Sequence, residues 1–222
     1  MEKLPVEVLD RRLQEALEYD DYAWVKEKGI LFKENYSAEG LHKVLYQCPH
    51  CGKEYKMDSK GTQLFCKACG HTWEYSELGE LHAVEGETYY SHIPDWYEWE
   101  RSEVRKEIEA GTYHFDSIVH TCMMPKDKFI PIGKGHLVHD MNGFKLTGVF
   151  EDRKYEVELP ASSTYGVHIE YEYLGKYGDC VDLNTLDNTY YVYPECEDFA
   201  VTKFSLAAEE LYKYWINKKK DA

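Results

Sequence analysis

An α+β chain is predicted from three features: a paired C-x-x-C motif, helical stretches on either side of it, and a closing run of short alternating segments before one last helix. The expected order is an N-terminal helix, a small cysteine-built ribbon, a linking helix, and a roughly seven-stranded antiparallel barrel closed by a C-terminal helix. These parts correspond to residues 1–40, 41–90, 91–111 and 112–222.

Residues 5–29 read as the first helix. Val6, Leu9, Leu13, Ala16, Leu17, Trp24 and Val25 fall mostly three or four apart, and Gly29 supplies a stop. Such a stripe needs a surface to cover it. A connection over 30–40 leads into Leu41-His42-Lys43-Val44-Leu45-Tyr46 and then the ribbon.

The ribbon rests on Cys48-Pro49-His50-Cys51-Gly52 and Cys66-Lys67-Ala68-Cys69-Gly70, with fourteen residues between the pairs. Each pair makes a knuckle that aims two sulfurs at one point, and Gly52 and Gly70 tolerate the positive φ of such turns. This is the spacing of a rubredoxin-like zinc ribbon, with Cys48, Cys51, Cys66 and Cys69 as ligands. Four thiolates leave no open coordination position, so the zinc is read as structural; iron is a possible substitute in recombinant material. Strands are expected at 54–57 and 62–65 around a turn at 58–61, with a third at 71–75 whose Trp73 covers the small core. Residues 76–90 read as strand and turn.

The linking helix is expected over 94–110, from an Asp95-x-x-Glu98 capping pattern to Gly111. Trp96, Tyr97 and Trp99 at its start read as packing, with Trp73 as the expected neighbour. From Thr112 the period becomes two. Strands are expected near 115–124, 129–139, 143–150, 153–159, 167–174, 180–186 and 189–194, with turns such as Pro125-Lys126-Asp127 and Met141-Asn142-Gly143 between them. The last helix begins near Ser205. Seven antiparallel strands followed by one helix is the element order of a pleckstrin-homology-like (PH-like) barrel; the same order also suits other small barrels or a sandwich with a packed helix, and it licenses no function.

Composition narrows the function classes. The chain has 222 residues and a formal charge of −15, which opposes binding to nucleic acid or to a strongly anionic membrane. Its three remaining cysteines, Cys122, Cys180 and Cys196, are an odd number, which fits a reducing cytoplasm better than a disulfide framework. No apolar run approaches the roughly 18 residues of a membrane span. The chain reads as soluble and cytoplasmic. No nucleophile elbow, phosphate loop or H-E-x-x-H motif occurs. His136 and His139 stand an odd step apart on a strand and so point to opposite faces. No catalytic residue is assigned.

The residues do carry a family resemblance. Gly40-Leu41, Val44 through Gly52, and His92-Ile93-Pro94-Asp95-Trp96-Tyr97-Glu98-Trp99-Glu100-Arg101 carry most of it. Gly135-His136-Leu137, Gly143 to Gly148, Thr189-Tyr190-Tyr191 and Leu211 to Tyr214 extend it. Across nearly its whole length the chain resembles the C-terminal region that follows the catalytic domain in bacterial, especially Firmicute, 1-acylglycerol-3-phosphate acyltransferase-like proteins. That resemblance implies an accessory or regulatory region whose partner is its own upstream acyltransferase domain, with the barrel as a protein-docking surface. The family's catalytic His-x-x-x-x-Asp does not carry over, because none of the ten histidines has Asp five positions on. Two other readings stand beside it: a stand-alone zinc-ribbon interaction protein, and a PH-like module for a small ligand or lipid.

Overall fold

A computed structural model describes residues 4–126 and 128–220. Asp127, in the expected Pro125-Lys126-Asp127 turn, lies outside the described residues. Where one N-terminal helix was expected there are two, α1 (Val6–Leu17) and α2 (Asp21–Lys28). Glu18 goes extended, and the Asp20 carboxylate then accepts from the Ala23 N–H at 2.9 Å and starts a new helix. Two ion pairs tie the α2 region to more distant parts of the chain: Lys26 pairs with Glu80 at 2.6 Å, and Asp20 pairs with His92 at 2.8 Å. No residue of α1 is buried, and Val6, Leu9, Leu13 and Leu17 are all exposed.

The ribbon begins with a one-turn helix, α3 (Leu41–Val44). A four-stranded antiparallel sheet comes next, in the order β1 (Met57–Lys60), β2 (Gln63–Cys66), β3 (Thr72–Tyr75), β4 (Leu81–Ala83). The expected turn at 58–61 is displaced. Residues 58–60 extend β1, Lys60 pairs with Gln63, and the chain reverses through Gly61-Thr62, where Gly61 has φ 62°. Met57 is the reason: it is buried opposite Cys66, which draws the strand C-terminal of the expected span.

The linking helix α4 (Ile93–Glu109) starts earlier than the capping pattern implied. Pro94 lacks an N–H and fits the first turn, so His92 becomes the N-cap and Asp95 lies inside the helix. Ile93, Trp96, Glu100, Val104 and Ile108 are buried at helical spacing.

The second sheet comprises β5 (His114–Met123), β6 (Ile130–Asp140), β7 (Gly143–Phe150), β8 (Arg153–Pro160), β9 (His168–Glu170), β10 (Cys180–Asn184) and β11 (Thr189–Pro194). Its order is β8-β7-β6-β5-β11-β10-β9, antiparallel throughout. The seven strands are as expected, but the barrel is open: among the described residues no ladder joins β8 to β9. The expected strand at 167–174 is cut to three residues. Glu172 and Leu174 adopt positive φ, and the chain beyond them folds back so that Tyr173 stacks on Tyr191 at 4.9 Å and Tyr177 lies against His120 at 3.8 Å. Burial of these rings on the outer sheet face competes with strand extension.

The last helix, α5 (Val201–Lys220), starts four residues before Ser205. Val201, Phe204 and Ala208 pack on the inner sheet face against Val119, Leu137, Leu146, Val181, Leu183 and Val192. A second side of α5, with Leu206, Ala207 and Leu211, meets Val104 and Ile108 of α4 and Tyr46 of the ribbon. α5 is therefore packed on both sides.

Candidate metal centre

The two knuckles are built by local backbone bonds. Gly52 N–H donates to the Cys48 carbonyl and Gly70 N–H to the Cys66 carbonyl, both at 2.8 Å. At φ 73° and 78° these glycines occupy the left-handed region that a side chain would strain. Cys48 N–H donates to the Lys53 carbonyl and Cys66 N–H to the His71 carbonyl, each at 3.0 Å, closing each loop behind its sulfurs.

The four cysteines picked from spacing converge, with all sulfurs within 4.8 Å of one another. Cys48 Sγ to Cys69 Sγ and Cys51 Sγ to Cys66 Sγ are both 3.8 Å. A tetrahedral ion with metal–sulfur bonds of about 2.3 Å has sulfur–sulfur edges of about 3.8 Å, so these residues fit a tetrathiolate metal. Cys48 and Cys66 are buried among Leu45, Met57, Leu64, Trp73, Ile93 and Trp96. Burial pushes the Cys48 and Cys69 thiols up. At Cys51 burial acts the same way, but the Lys53 N–H and neighbouring thiols outweigh it and bring the thiol down. Four thiolates this close repel one another, and a bound cation relieves that repulsion.

Around the sulfurs lies an aromatic cover. His50 and His71 stack at 4.6 Å, the Tyr89 hydroxyl is 2.9 Å from His50 Nδ1, and His71 Nε2 donates to the Glu87 carbonyl at 2.9 Å. Trp73 meets Trp96 edge-on at 4.8 Å, the contact expected between ribbon and linking helix. Further bonds join the ribbon to the rest of the fold. Lys203 of α5 donates to both Glu54 oxygens, at 2.8 and 2.9 Å, and to Glu107 of α4 at 2.8 Å. Thr202 Oγ1 donates to the Lys43 carbonyl at 2.7 Å.

The other residues singled out in the sequence do not assemble into a second thiol or histidine centre. His136 is half-buried and pairs with Asp116 at 2.8 Å, whereas His139 is wholly buried against Tyr113 and Phe144, on opposite faces as expected. Burial brings the His139 imidazole down to about 3. Burial also raises the Cys122 thiol to about 11 and raises Cys180, which is unlike an activated nucleophile. Sequence reading missed one group: His168, Glu170 and Asp182 place their ligand atoms within 4.8 Å of one another. Its signal is weak, because the residues come from two strands paired only by the fold.

No protein-family model, curated protein or solved structure matches the chain.

Proposed function

We propose that this chain is a non-catalytic accessory region of a bacterial lysophosphatidate-type acyltransferase. In this reading a structural zinc ion at Cys48, Cys51, Cys66 and Cys69 rigidifies a docking module in the cytoplasm. The observation that carries the docking role is the uncovered apolar stripe of α1, Val6, Leu9, Leu13 and Leu17, on a chain whose other long helices, α4 and α5, each have a buried face. An exposed stripe of that length marks an interaction surface. Zinc is favoured by the four-sulfur donor set and the tetrahedral edge lengths. No helix of the described residues is long and apolar enough to cross a membrane, so this segment would meet a membrane-associated enzyme through protein contacts.

The finer reading of the second sheet is PH-like. Two meanders, β5–β8 and β9–β11, meet through the β5–β11 pair, and a terminal helix crosses their inner face. That order supports the likeness despite the open edge.

The test uses the acyltransferase domain expected upstream in the same gene, purified and titrated with this chain by calorimetry. Saturable binding that Leu9→Asp with Leu13→Asp abolishes, while the zinc content stays intact, supports the reading. A gene without such a domain, or no binding at micromolar concentration, rejects it.

A further inference from the structure

Strands β9 and β10 pair antiparallel, with His168 opposite Asp182 and Glu170 opposite Cys180. Because strand side chains alternate, these four residues share one face, while Ile169 and Val181 point to the core. The shared face brings an imidazole and two carboxylates together. His168 Nδ1 is 3.0 Å from Asp182 Oδ2 and 3.6 Å from Glu170 Oε1.

The burial of this group is uneven. Asp182 is only 5% exposed, whereas His168 stands in solvent and Glu170 is half-buried. Burying a carboxylate is costly unless positive charge reaches it. Here two carboxylates share one imidazole, whose charge is at most +1. A second feature lies behind the carboxylates. The Tyr193 hydroxyl is buried, with only the weakly hydrogen-bonding Cys180 thiol and Asp182 beside it. Its oxygen adds an acceptor to a face already short of positive charge. A groove of about 490 Å³ between Tyr165, Val167 and Asn184 reaches Asp182, the one member of the cluster that lines it.

We propose that His168 Nδ1, Glu170 and Asp182 form a second metal site, separate from the cysteine centre, for a divalent first-row transition cation of the manganese and zinc class. One imidazole and two carboxylates suit such borderline cations better than soft copper(I) or hard calcium. With bonds of about 2.1 Å, ligand atoms stand about 3.0–3.4 Å apart, close to the two separations above. The solvent-facing His168 and half-buried Glu170 can rotate to close the third edge. Three protein ligands leave coordination positions for water or an anionic group of a ligand in the groove, unlike the closed cysteine site.

The experiment titrates manganese(II) into the full chain with its cysteine centre already loaded with zinc, and monitors free manganese by electron paramagnetic resonance. Manganese is the probe because it favours carboxylate and imidazole over four thiolates. Saturable binding of about one equivalent is expected, weakened about tenfold or more by His168→Ala and by Glu170→Gln. Neither side chain is part of the core, so both variants should keep the parent's circular dichroism and zinc content. The absence of saturable binding, or binding that either variant leaves unchanged, overturns the proposal.

Discussion

The Trp96 indole N–H donates to the Gln47 carbonyl at 3.0 Å, one residue before the first cysteine of the four-sulfur cluster. The grip is reciprocal, since Gln47 N–H donates to the Glu100 carboxyl at 2.8 Å one turn further along α4. One helix face thus satisfies both the N–H and the C=O of the residue that leads into the knuckle. The first cysteine knuckle is held to the linking helix through backbone as well as through packing.

Trp96→Phe keeps most of the apolar contact with Trp73 but removes the donor to Gln47. An orphaned carbonyl and a small cavity together should cost roughly 2–4 kcal/mol. The expected result is a lower urea midpoint at unchanged zinc content. An unchanged midpoint would show that the indole bond contributes nothing.

Protein purified without chelator should carry about one equivalent of zinc or iron at the cysteines, and Cys66→Ser should lose it. Cys66 is buried beside Leu64 and Trp73, so loss of the metal should open the small core as well as the knuckle. Metal analysis with thermal unfolding checks both. Unchanged metal content and midpoint in Cys66→Ser would refute the ligand assignment.

The cysteine spacing, the tryptophan pair and the strand spans 143–150 and 189–194 were legible because each depends on nearby residues. Gly143 and Thr189 begin strands just where turn residues end. Three features were not legible, two of them for a long-range reason. The helix restart at Asp20 has a local cause, its cap on the Ala23 N–H, and is further held by the ion pair with His92, far along the chain. The shortening of β9 depends on Tyr173 finding Tyr191 across the sheet. The His168, Glu170 and Asp182 cluster exists only once β9 pairs with β10, and no single-strand pattern encodes that register.

His139 makes stability depend on acid. Its imidazole falls from 6.5 to about 3 on burial, with the Tyr113 hydroxyl at 2.8 Å from Nδ1. Between those values the unfolded chain binds a proton that the folded chain refuses. Stability should therefore fall as pH drops through that window, by up to ~1.4 kcal/mol per pH unit from this group. Buried Glu100 has the opposite sign: its carboxyl is pushed up by burial, so its contribution weakens as pH rises above 4.5. The difference between parent and variant isolates the histidine. His139→Leu with Tyr113→Phe, which leaves no orphan hydroxyl, should flatten the acid limb relative to the parent. Parallel curves would assign the acid response to other groups.

The second sheet should not bind anionic membranes electrostatically. Recognition of phosphorylated head groups needs several bases around one mouth, free to replace water and counterions. In the β5–β6 connection Lys126 and Lys128 are exposed, and the Asp127 between them lies outside the described residues. Other bases on the sheet already face acids. Lys134 pairs with Glu195 at 2.6 Å, and Lys145 pairs with Glu158 at 2.7 Å and Glu156 at 3.1 Å. The β7–β8 turn sets Glu151 and Asp152 beside Arg153 and Lys154. With a chain charge of −15, repulsion should exceed the attraction of two lysines by a margin that salt reduces for both. In flotation with vesicles of phosphatidylcholine alone or mixed with phosphatidylserine, the protein should stay with the soluble fraction in both. Salt-sensitive flotation with the anionic vesicles alone would overturn this, and Lys126→Glu with Lys128→Glu would then show whether that connection is the mouth.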